Sequence, residues 1–152
     1  LILQIIHTAS NDLRFLIQTW ACNQHPERLE TDIKNLQFKY LGLYFTAVWC
    51  SSCIRTADSL KNTIAKINQA HPDLFKMITI RLDDSKDNLG TATGDFLADF
   101  PAADQLSKNL AVRYLPSIYV FNTAGYLVSA NGLKEIFEHR EKVISFWDRI
   151  PQ

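Results

Sequence analysis

A chain of 152 residues is long enough for one domain with a full hydrophobic core, and 47% hydrophobic with 21% charged residues is the composition of an ordered globular protein. Sixteen basic residues balance sixteen acidic ones, so no net field favours nucleic acid or an anionic membrane surface as a partner. No apolar run nears the roughly 18 residues of a membrane span, and three cysteines are too few for a disulfide-stapled secreted scaffold.

In chain order, "LILQII" at residues 1–6 reads as an edge strand or the stub of a removed leader or anchor. Leu1 in place of Met implies a preceding segment, and both a cytoplasmic and an exported location stay open. Ser10 suits a helix N-cap, and Leu13, Leu16, Ile17 and Trp20 follow at helical spacing until His25-Pro26 closes the segment. Residues 27–39 are polar, with at most a turn of helix around Ile33 and Leu36. "YLGLYF", 40–45, is apolar on both faces, as a central strand covered on both sides must be.

From Ser51 the period becomes helical. Ala57, Leu60, Ile64 and Ile67 form a buried stripe, Arg55, Asp58, Asn62 and Lys66 a wet face, and His71-Pro72 ends the helix. Residues 76–83, "KMITIRLD", alternate as a second strand. The stretch "DDSKDNLGTATGD" has a superficial likeness to a calcium loop. Its sixth position, Asn88, is not Gly, and its twelfth, Gly94, offers no carboxylate, so a solvated loop is expected. A short helix over Asp104–Leu110 buries Leu106 and Leu110. A hairpin follows, with strands Ser117–Phe121 and Tyr126–Ser129 around a turn at Asn122–Gly125. Ile136, Val143, Trp147 and Ile150 mark the apolar face of a final helix. Strands separated by long helices imply an α/β sandwich with a mixed central sheet.

The chemistry gathers at Trp49-Cys50-Ser51-Ser52-Cys53. Cys50 falls between strand and helix, where unpaired backbone N–H groups and the positive end of the helix dipole favour a thiolate, the species that attacks a disulfide. Cys53, one turn later, is placed to resolve a mixed disulfide. Redox chemistry is the favoured reading. The alternatives are a zinc-stabilised binding module, in which Cys22, His25, Cys50 and Cys53 form a Cys3His set, and a redox-inactive interaction domain. Pro116 stands at a strand start, a position that a plain strand-initiating proline also takes. A cis Leu115-Pro116 bond beside the cysteines would instead free the Leu115 backbone to pair with an extended substrate segment. His7, His25, His71 and His139 read as surface or helix-end residues rather than bases.

"WCSSC" leading into a helix, with "YLPSIYVF" some 65 residues later, resembles the thioredoxin superfamily. "GLYFTAVWCSSC" and "FLADFPAADQLSKNLAVRYLPSIYVFNTAGYLVSANG" are most similar to its tryparedoxin and nucleoredoxin branch, over residues 36–132. The resemblance implies a thioredoxin fold, a mixed central sheet flanked by helices, here with an N-terminal helical extension. One domain is expected over 1–152, with 1–35 as the extension and 36–152 as the core. The resemblance further implies that Cys50 attacks, Cys53 resolves and Pro116 is the cis proline, with Trp49, Ser51, Ser52 and Leu115 lining the substrate groove. Its partners would be disulfide-containing proteins and an upstream redox protein, with no bound cofactor and no metal. Three departures from the branch stand out: Ser51-Ser52 replaces Pro-Pro or Gly-Pro, Arg55 lies one position late, and Ala102 replaces a Trp after Pro101. Tyr44 takes the place of thioredoxin's own buried Asp, as in the tryparedoxin branch. Tyr44 is expected to be a core residue with a satisfied hydroxyl.

Overall fold

The computed structural model describes residues 37–83, 96–98, 104, 107–108 and 110–152. The expected helix after Ser10, Cys22, His25 and the loop over 84–95 lie outside them.

The central strand β1, Tyr40–Thr46, is buried at all seven positions, as its two-sided apolar sequence requires. It pairs in parallel with β2, Phe75–Arg81, which pairs in parallel with β3, Phe96–Ala98. On its other side β1 pairs antiparallel with β4, Ser117–Asn122, and β4 with β5, Leu127–Ser129. The sheet order is therefore β3-β2-β1-β4-β5. Helix α1, Ser51–Ala70, makes the crossover from β1 to β2. This mixed sheet flanked by helices is the architecture that the resemblance implies.

Alternation along the strands sorts their side chains into two cores. Tyr40, Tyr44, Phe75, Met77, Ile118 and Val120 meet Leu60, Ile64 and Ile67 of α1 on one face. On the other, Leu41, Leu43, Phe45, Ile78, Ile80 and Phe121 pack together, with Leu110, Val112, Leu115 and Tyr119 partly buried against them.

Three features depart from the sequence reading. The final helix is not continuous: α2, Gly132–His139, gives way to a 3-10 turn, Arg140–Lys142, and then α3, Val143–Asp148. Arg140 adopts φ 51°, a left-handed value that breaks the ladder. The break swings Trp147 onto the sheet, 5.3 Å from the Tyr40 ring and 5.2 Å from Phe75 between centroids, and leaves Ile150 past the helix end. Strand β3 went unseen because three residues are too short to display a period. Strand β2 stops at Arg81 rather than Asp83, because the chain bends at Leu82 and Asp83. Within the expected helix over Asp104–Leu110, Asp104, Ser107 and Lys108 are helical and Leu110 lies in a turn.

Candidate active site

Residues 47–50 turn the chain from β1 into α1, with the Cys50 N–H donating to the Ala47 carbonyl at 3.2 Å. Cys50 is the N-cap of α1, with extended backbone (φ −89°, ψ 110°). Its sulfur does what a capping oxygen usually does, accepting the backbone N–H of Cys53 at 3.2 Å. The first turn of α1 carries no acidic side chain, so nothing there opposes the positive end of the helix dipole. The Cys50 thiol also approaches the Leu115 carbonyl at 3.7 Å, 65 residues away in sequence, and the Leu115–Pro116 peptide bond is cis. The sheet thus delivers the β4 start beside the β1 end, because β1 and β4 run antiparallel with Phe45 opposite Ser117.

The two cysteines occupy opposite surroundings. Both thiols are free, Cys50 half-buried and Cys53 wholly buried. Burial pushes the Cys53 thiol above its ordinary pKa, and its contact with Cys50 pushes the same way. The Thr46 hydroxyl and the Ala47 backbone oppose the rise. Trp49, 68% exposed, stands at the rim. Ser51 faces solvent, and Ser52 is partly buried with its hydroxyl accepting from Arg55 at 3.2 Å.

Tyr44 is fully buried, as expected of a core residue, but among the described residues its hydroxyl has no hydrogen-bond partner, contrary to the sequence reading. Thr46, two residues on along the same strand face, has an equally unpartnered hydroxyl. Burial raises the Tyr44 pKa; the nearby Thr46 hydroxyl tempers that rise without making a hydrogen bond of normal geometry. The sequence showed no reason for the orphan, since a β-strand Tyr ordinarily finds a backbone or water partner.

Sequence reasoning also missed the support behind the loop. Arg81 and Asp83 form an ion pair whose side chains are only 5% and 6% exposed, and the Arg81 Nε–H donates to Asp83 Oδ1 at 3.3 Å. The same Oδ1 accepts the Val48 N–H at 3.0 Å. The carboxylate therefore holds the turn just before Trp49 and Cys50, while the buried guanidinium balances its charge. An Arg at the end of an alternating strand, two residues before an Asp, was the signal available. Of the proposed zinc set, Cys22 and His25 lie outside the described residues; among the described residues no three His, Cys, Asp or Glu side chains converge. His71 caps α1 and donates from Nε2 to the Glu141 carbonyl at 3.0 Å, and His139 stacks on Phe146 at 4.2 Å. Neither is placed as a base for the cysteines.

Residues 37–127 match the family model described as Thioredoxin-like, more than half of the chain. The chain is 21% identical to a probable nucleoredoxin 3 of Oryza sativa subsp. japonica over 141 residues, covering 86% of this chain and 30% of the relative. It is likewise 21% identical to the nucleoredoxin of Danio rerio over 130 residues, covering 82% of this chain and 31% of the relative. The chain therefore spans about a third of the length of these relatives. Among solved structures, native tryparedoxin I from Crithidia fasciculata superposes with a TM-score of 0.62 at 20% identity, over 71% of this chain and 78% of that one.

Proposed function

We propose that this chain, which belongs to the Thioredoxin-like family, is a thiol–disulfide oxidoreductase whose working pair is Cys50 and Cys53. The observation that carries the reading is the asymmetry of that pair: one sulfur caps a helix at the surface, and the other lies buried one turn behind it. The Cys50 thiolate attacks one sulfur of a substrate disulfide. A Cys50–substrate bond forms, the substrate S–S bond breaks, and the departing thiolate takes a proton from solvent. Cys53 then gives up its proton and attacks the Cys50 sulfur, which forms the Cys50–Cys53 disulfide and releases the second substrate thiol. Two electrons pass from the protein to the substrate, and an upstream dithiol partner must return them.

Burial has opposite consequences for the two steps. Attack starts at a half-exposed sulfur that a protein disulfide can reach. Resolution starts at a thiol whose neutral form burial favours. An extended substrate segment lies along Leu115 and Pro116, where the Leu115 carbonyl approaches Cys50, and packs against Trp49. The buried Arg81–Asp83 pair, through Val48, keeps the loop in place while the bonds exchange. Residues 36–152 form the catalytic unit.

Reduction of insulin disulfides by a thiol donor tests this. In Cys50→Ser the rate falls to background. In Cys53→Ser, protein mixed disulfides accumulate through Cys50 and turnover stops. Undiminished activity in Cys50→Ser overturns the assignment.

A further inference from the structure

A second feature sits on the outer side of α1. A groove of about 470 Å³ runs between this helix and the turn after α2. Arg55, Ser59, Asn62 and Lys66 form one wall, with Phe137 and Arg140 opposite. On a helix the first four fall in one stripe, at i, i+4, i+7 and i+11. The groove has three cationic side chains and no carboxylate among the residues that line it. None of the three cations is in an ion pair among the described residues, although exposed lysines elsewhere on the surface are: Lys39 with Asp148, Lys108 with Asp104, Lys134 with Glu138. In a chain with sixteen charges of each sign, this is a local excess of positive charge inside a concave surface, where potentials are focused.

One hydrogen bond ties the groove to the candidate active site. Arg55 at its upper end donates to the Ser52 hydroxyl, between the two cysteines, at 3.2 Å. From Arg55 to Lys66 the helix rises roughly 16 Å, the length of about five extended residues. A lone phosphate is too small to meet cations spread over that distance. Arg140 faces this stripe from the far wall with a left-handed backbone, φ 51°, a conformation that a non-glycine residue adopts only at a cost.

We propose that this groove binds an acidic, extended segment of the protein whose disulfide Cys50 attacks, adding affinity and selection to the thiol chemistry. The inference rests on the oxidoreductase reading and supplies its substrate class: disulfide proteins that carry a run of carboxylates near the reactive bond. The Asp and Glu side chains lie over Arg55, Lys66 and Arg140, and the polar Ser59 and Asn62 side chains meet the backbone between them.

The test uses two synthetic peptides with the same disulfide, one extended by a run of Glu and the other by Gln. The full chain is expected to reduce the Glu peptide with a kcat/KM about tenfold higher at low salt, since a few exposed ion pairs contribute that much together. The advantage shrinks as ionic strength rises. It is largely lost in a Lys66→Gln/Arg140→Gln variant, which spares Arg55 because that side chain touches Ser52. A single Lys66→Glu moves it in the same direction. Equal rates for the two peptides in the unmodified protein overturn the proposal, as does a preference that survives the double variant. Inhibition by inorganic phosphate as strong as that by a disulfide-free Glu peptide also overturns it, by making the groove a small-anion site. Failure of the redox reading looks different: neither peptide is reduced, while anisotropy of the labelled, disulfide-free Glu peptide still shows whether the groove binds it.

Discussion

Tyr40 and Tyr44 stand four residues apart on β1, point to the same face of the sheet and are both buried, yet their hydroxyls meet opposite fates. Tyr40 donates to Asp148 Oδ1 at 2.7 Å and accepts from Gln152 Nε2 at 3.0 Å, while Lys39 holds the same carboxylate oxygen at 2.8 Å. Beside it the Trp147 indole N–H donates to Glu135 at 3.0 Å. Among the described residues neither the Tyr44 hydroxyl nor that of Thr46 has a hydrogen-bond partner of normal geometry. One end of the strand is closed by side chains that satisfy each other. The other, at the carboxyl ends of the parallel strands β1 and β2, leaves polar atoms unpaired beneath two cysteines. Among the described residues, three of the four buried side-chain polar atoms without a partner, on Tyr44, Thr46 and Ser117, lie on β1 and β4 toward the cysteine end, and the fourth, on Asn68, is in the last turn of α1.

Changes at the closed end should cost stability, and changes at the open end should alter reactivity. The largest effect belongs to Trp147→Ala, which removes the ring packed on Tyr40 and Phe75 and should destabilise by about 3–5 kcal/mol in chemical denaturation. Next, Tyr40→Phe strips a hydroxyl from a satisfied network and should cost about 1 kcal/mol, whereas Tyr44→Phe removes an unpaired one and should be neutral or stabilising. Equal losses in the two variants would break the comparison.

A smaller effect is expected from Asp148, whose carboxyl is held below its ordinary pKa chiefly by the hydrogen bond from Lys39, and by that from Tyr40. A depressed carboxylate stabilises above its unfolded pKa and loses that contribution as pH falls through the folded value. Asp148→Asn should therefore cost about 0.5 kcal/mol near neutrality, because the pair is solvent-screened, and the difference from the unmodified protein should vanish in acid. Smallest in stability, and legible only in kinetics, is Thr46→Val. Its hydroxyl opposes the upward shift of Cys53, so its loss should move the alkaline rise in mixed-disulfide resolution to higher pH while the attack step is unchanged. Stopped-flow rates across pH separate the two steps.

Much of this architecture was legible in the residues themselves. Two-sided burial of "YLGLYF" located the central strand, the 57-60-64-67 stripe located α1, and Pro116 at the start of "SIYVF" located β4. These are patterns within one element, which periodicity reports directly. What stayed hidden depends on contacts between elements or on a single backbone angle. Ile136, Val143 and Trp147 keep a helical period straight through Arg140, so nothing in the pattern announces the break there. The Arg81–Asp83–Val48 tie joins a strand end to a loop 35 residues away, and the orphaned hydroxyls become apparent only when every neighbour is in place. The cationic groove is similar: Arg55 and Lys66 read as an ordinary wet face until Arg140 closes it from the other side.

The most direct test of the redox pair is to map the protein's thiols after a single turnover with a disulfide substrate, using alkylation and peptide mass spectrometry. The expected result is loss of both free thiols at positions 50 and 53, with one peptide pair linked through Cys50 and Cys53 and Cys22 still alkylated. A bond from Cys50 to Cys22, or full alkylation of Cys53 after the substrate has been reduced, would contradict it.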